Sequence, residues 1–114
     1  MKENFKRNIY YYKHYFFDFF LIQSADVQKK FNWTLELIMT LERVPAKYLC
    51  YMAGTDGLYE IRVEVGSNIF RVFSFFDEGN LIILLNGFQK KTQKTPKNEI
   101  EFAEKLKKEY FNEK

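Results

Sequence analysis

The stretch "LYEIRVEVGSNIFRVFSFFDEGNLIILLNGF", Leu58 to Phe88, decides the fold. Its first arm alternates: Tyr59, Ile61, Val63 and Val65 point one way, and Glu60, Arg62 and Glu64 the other. That period of two belongs to a half-buried strand. "GSN" and "DEGN" are rich in turn formers, and each leads into a β-branched and aromatic run, "IFRVFSFF" and "LIILLNGF". Strands joined by such short turns form an antiparallel meander.

Turn geometry sets the register. With Gly66 and Ser67 as a two-residue turn, Arg62 stands opposite Arg71. With Glu78 and Gly79 as the next turn, Arg71 stands opposite Asn86. The same face then continues into Phe73, Phe75, Ile82 and Leu84, which need a cover. This reading leaves Arg62, Arg71 and Asn86 on an open end of the sheet.

Upstream, "IYYYK", Ile9 to Lys13, reads as a short strand. "FFDFFLIQ" is too short for periodicity to separate a helix from continued strand. Ser24 is placed to cap a helix on which Val27, Phe31, Leu35, Ile38 and Leu41 recur at helical spacing, closed by Pro45. Trp33 and Met39 are assigned to packing beside that core face rather than to a ligand stripe. "YMAGTDG" is a loop. Downstream, Thr95 and Pro96 supply an N-cap and a first residue for a last helix with Ile100, Ala103, Leu106 and Tyr110 on one face. The order strand, one or two helices, three strands, helix predicts a two-layer α+β domain.

The 114 residues suit one domain, residues 1–114. A hydrophobic fraction of 46%, with 13 Phe and 8 Tyr, argues for a packed core rather than a disordered chain. The single cysteine, Cys50, and the single histidine, His14, supply no disulfide and no zinc spacing. Met1 to Asn8 is polar and charged, and "YFFDFFLI" is too short to span a bilayer. A cytoplasmic protein without membrane attachment or cofactor is expected.

The net charge of +3 decides little, but its placement is informative. "GFQKKTQKTPKNEI", Gly87 to Ile100, carries Lys90, Lys91, Lys94 and Lys97 with no acid before Glu99. Arg62 and Arg71 facing each other repel unless acids or an anion intervene. A solvated ladder with Glu60 and Glu64 is one solution, and a phosphate held by guanidinium forks is the other. The lysines at the strand end favour the phosphate. Phe88 beside them could stack a base or join the core. A glycine-rich phosphate loop and a Ser-His-Asp set are missing from the sequence. Ser74 falls on the opposite, buried face.

Three segments, "LYEIR", "FRVF" and "GFQKKTQKTP", with the amphipathic helix after them, resemble the phage-derived, HigB-like branch of the RelE/ParE toxin superfamily. The resemblance spans about Gly54 to Tyr110. It implies a compact α+β fold, β-α-α-β-β-β-α with helices packed on a twisted antiparallel sheet, and a toxin of a type II toxin–antitoxin module acting as a metal-independent, ribosome-dependent mRNA endoribonuclease. It implies mRNA and the ribosome as partners, and a HigA-like helix-turn-helix antitoxin encoded by the adjacent gene. By the same resemblance Arg71 contacts the phosphate, and Arg62 shares that role or holds Glu60. Lys90 and Lys91 join the catalytic group, while Lys94, Lys97, Asn86 and Phe88 bind RNA. Relatives in other branches place His and Tyr where this chain has "KKTQK". Glu60 or a lysine with cationic neighbours would therefore be the base. The alternatives are a ParE-like toxin that inhibits DNA gyrase without cutting RNA, and a non-catalytic RNA- or protein-binding domain.

Overall fold

The computed structural model describes residues 5–114; the first four residues of the polar start lie outside the described residues. The elements are β1 (Asn8–Tyr11), α1 (Tyr15–Leu21), α2 (Ala25–Thr40), β2 (Leu49–Tyr51), β3 (Tyr59–Val65), β4 (Asn68–Asp77), β5 (Leu81–Lys90) and α3 (Lys97–Asn112). The class is α+β, as the sequence predicts. One five-stranded sheet runs in the order β1-β5-β4-β3-β2. It is mixed rather than purely antiparallel, because β1 pairs parallel with β5 while the other neighbours are antiparallel.

Helices lie on both faces, so the domain has three layers rather than the expected two. α1 and α2 pack Phe16, Val27, Phe31 and Ile38 on Ile61, Val63, Val72 and Ile82. α3 packs Ala103 and Leu106 on Phe73, Phe75, Ile83 and Leu85. A side chain of this size contributes about 1.5–3 kcal/mol when fully buried, so each face is a substantial core.

The "YFFDFFL" run resolves as helix, and Lys13 marks its boundary with β1. Its φ of 55° turns the chain out of the strand, which ends at Tyr11 rather than Lys13. Ser24 caps α2 as expected, its Oγ accepting from Val27 N at 3.3 Å. Thr95 does not cap α3: Pro96 holds the N-cap position and no side chain bonds there. β2 is an additional short edge strand that the sequence reading did not include; it shares only Tyr51 with the segment read as loop and pairs Cys50 with Glu60.

The first hairpin has the predicted register, with Val65 opposite Asn68 and Arg62 opposite Arg71. The second does not. Its turn takes three residues, Glu78 to Asn80, since Asp77 pairs with Leu81. Glu78 and Gly79 both have positive φ, 52° and 73°. The extra residue moves Ile82 and Leu84 to the α1/α2 face and gives Ile83 and Leu85 to α3. A bulge then restores the alternation. Val72 pairs with Gly87 and Ser74 with Leu84, so Phe73 alone opposes both Leu85 and Asn86. Arg71 consequently faces Phe88, not Asn86.

Candidate functional site

On the α3 side, the upper sheet carries Glu64, Ile69 and Lys90 in one row and Arg62, Arg71 and Phe88 in the next. Glu60 stands one row lower on β3, so its carboxylate is diagonal to Arg71 on β4. Its Oε1 accepts from Arg62 Nε at 2.9 Å and lies 3.2 Å from Arg71 Nε. The Arg71 N–H is not aimed at that oxygen, so this contact is electrostatic rather than a directed hydrogen bond. One carboxylate thus resolves the repulsion of the facing arginines.

This pair does not sit on an open surface, contrary to the sequence reading. Arg71 is 6% exposed and Glu60 3%. Burial pushes the Arg71 guanidinium below its usual pKa, and the Glu60 charge pulls it back up. The segment 91–96 crosses from the end of β5 to the start of α3 and meets the Glu60 side of this pair. Thr95 reaches down from it, donating Oγ1 to Glu60 Oε2 at 3.4 Å. Within the strap, Thr92 Oγ1 donates to Lys94 O at 2.8 Å.

Asn86 is also buried, donating Nδ2 to the carbonyl and carboxylate of Glu99 at 3.2 and 3.0 Å. Its Oδ1 has no partner among the described residues. Phe88 is buried against Phe73, with ring centroids 5.4 Å apart, which makes it a core residue and corrects its assignment to RNA bases. Lys91, Lys94 and Lys97 are exposed and Lys90 is half-buried. Ser74 is buried on the opposite face, and His14 is exposed.

The positive groups do not converge on one pocket. Lys90 and Lys91 line a shallow cleft with Ser67, Ile69, Thr92 and Gln93 beside the first hairpin turn. Arg62 instead lines a cleft with Lys30, Lys47, Tyr48 and Glu64 at the β2 edge. The latter was not anticipated. Trp33, expected in packing, is 44% exposed beside it. The signal was present: Trp33 is two positions from core Phe31, about 200° around the helix. Among the described residues no cluster of His, Cys, Asp or Glu suits a metal ion, and no helix is long and apolar enough to cross a membrane.

A protein-family model described as "Phage derived protein Gp49-like" matches residues 18–108, most of the chain. No curated protein matches.

Proposed function

The chain belongs to the phage-derived Gp49-like family, related to RelE-type toxins, and from that premise we propose that it is a HigB-like toxin of a type II toxin–antitoxin module. In this reading it cuts mRNA on the ribosome without a metal and is silenced by a HigA-like antitoxin. The observation that carries the proposal is Glu60 held between Arg62 and Arg71 beneath a lysine-bearing strap. Metal-free cleavage needs a base for the ribose 2′-OH, cations for the phosphate and an acid for the leaving 5′-oxygen. Arg62, with a side chain 36% exposed, is the arginine that can meet a phosphate. Arg71 is a positioning residue that holds Glu60. The strap is tied to Glu60 by a single long hydrogen bond. Displacing it frees Oε2 to take the 2′-proton as the new O2′–P bond forms. The P–O5′ bond breaks, and the departing oxygen takes its proton from solvent.

A ParE-like toxin acting on DNA gyrase is the second reading, favoured by the burial of Glu60 and Arg71. The test is to induce the chain without its antitoxin and map transcript ends. Cleavage at defined positions, lost in Arg62→Ala, supports the nuclease. Arrested growth with intact transcripts and a DNA-damage response replaces it with the gyrase reading.

A further inference from the structure

The cleft at the β2 edge is the strongest unassigned feature of the molecule. It is built from the α2 surface and the segment leading into β2. Lys30 and Trp33 are one helical turn apart on α2, and Lys30 Nζ lies 4.2 Å from the Trp33 ring centroid. Trp33 meets Tyr48 edge to face at 5.6 Å. Lys47 Nζ stands 5.0 Å from the Tyr48 ring. Tyr48 is anchored to β3 because Arg62 N donates to its carbonyl at 2.9 Å. Lys30, Lys47, Tyr48, Arg62 and Glu64 form the lining.

Three properties of this surface select its ligand. Cations outnumber carboxylates three to one in the lining, and no aliphatic side chain contributes to it. Lys30 and Lys47 form no ion pair among the described residues. The exposed ring of Trp33 is oriented by its neighbours rather than buried by them. Hydrophobic protein partners prefer apolar cores with few charges. A flat ring flanked by unpaired ammonium groups is instead the makeup of a single-strand platform, where bases stack and phosphates track the cations.

We infer that this cleft is a binding subsite for single-stranded RNA, in which a base stacks on Trp33 while Lys30, Lys47 and Arg62 hold the adjoining phosphates. The inference rests on the RNA-directed reading above and extends it. Arg62 belongs both to this cleft and to the Glu60 cluster, so a strand bound here leads toward that site. A stacked base displaces the Lys30 ammonium from the ring and leaves it free for the phosphate.

Trp33 is the only tryptophan in the chain, so its emission reports on this cleft alone. The experiment titrates the full chain with a labelled oligouridylate of about 12 nucleotides, a length within single-strand site sizes. Anisotropy and Trp33 emission are read together, and inorganic polyphosphate serves as a polyanion without bases. RNA is expected to quench Trp33 at the same midpoint as the anisotropy change. Trp33→Ala is expected to weaken oligouridylate at least about fivefold and to leave polyphosphate unaffected. Lys47→Ala is expected to weaken both. Should Trp33→Ala fail to fold, Trp33→Phe keeps a stacking ring and should bind nearly as the parent does. RNA binding with unchanged emission and an indifferent Trp33→Ala overturns the subsite alone, and returns the patch to a protein-facing role. No oligouridylate binding by the unmodified chain overturns both the subsite and the RNA-directed reading.

Discussion

Arg71 on β4 and Glu60 on β3 form a buried ion pair from diagonal positions of the same sheet face, with Nε 3.2 Å from Oε1. Removing one member leaves the other charge buried, which is far costlier than never having buried the pair. Arg71→Met should destabilise the chain by about 3–5 kcal/mol, at the lower end because Arg62 still meets Glu60. The double change Glu60→Leu with Arg71→Met should recover most of that loss. Urea melts of the single and double variants check this; additive losses would contradict the pairing.

Gly87 leaves the space that Phe19 fills. A Cβ there would lie 2.5 Å from Phe19 Cδ2, closer than packed carbons allow. Gly87→Ala should cost about 1–3 kcal/mol through overpacking of α1 on β5. Adding Phe19→Leu should return part of the loss, because the smaller side chain can retreat. Thermal melting of the pair reads the rescue, and equal stability of Gly87→Ala and the parent would refute the close approach.

Tyr110 donates to Asp77 Oδ2 at 2.7 Å, and Lys114 stands 2.9 Å from the same carboxylate. The Tyr110 hydrogen bond and then Lys114 hold the Asp77 carboxyl below its usual pKa. A depressed folded-state pKa stabilises the fold above the unfolded value, about 3.9, and that gain is lost as pH falls through the folded value. Tyr110→Phe should therefore cost about 1.5–3 kcal/mol near neutrality. The difference from the parent should shrink in acid below about pH 4. Urea melts from pH 7 to pH 3 test the sign.

The lysines of the strap and strand end carry no structural burden. Lys91 is exposed, and neither Lys90 nor Lys91 forms an ion pair among the described residues. The double change Lys90→Ala with Lys91→Ala should move stability by no more than about 0.5 kcal/mol. If both meet phosphates, the slope of log K against log salt should fall by about 1.4 for single-stranded RNA. An unchanged slope would remove both from the interface.

The first hairpin was legible because a two-residue turn with Gly66 leaves one register, and Arg62 does face Arg71. The second was not, because "DEGN" fits a turn of either length. The longer form brings Asn80 to where its amide donates to Lys6 O at 2.7 Å, a tertiary contact no local pattern reveals. The bulge at Leu85 and Asn86 was equally hidden, since it answers to the packing of Phe73. For the site, residue types were readable but exposure was not. Arg71 is buried between Phe88 and the Glu60 carboxylate, and Thr95 bonds Glu60 instead of capping α3, neither of which a local pattern reveals. The aromatic edge escaped because Trp33 and Tyr48 approach only after β2 joins the sheet.

The parallel pairing of β1 with β5 joins positions some seventy residues apart, Asn8 with Leu81 at its start. Loop closure over such a span costs entropy before any contact repays it, and non-local pairings of this kind slow folding. During synthesis the N-terminal strand has no mate until its partner is made. Tyr12, just past that strand, donates to Glu113, a contact between positions 101 apart in sequence. The sheet edge that β1 completes therefore stays open until residues 81–90 have been made.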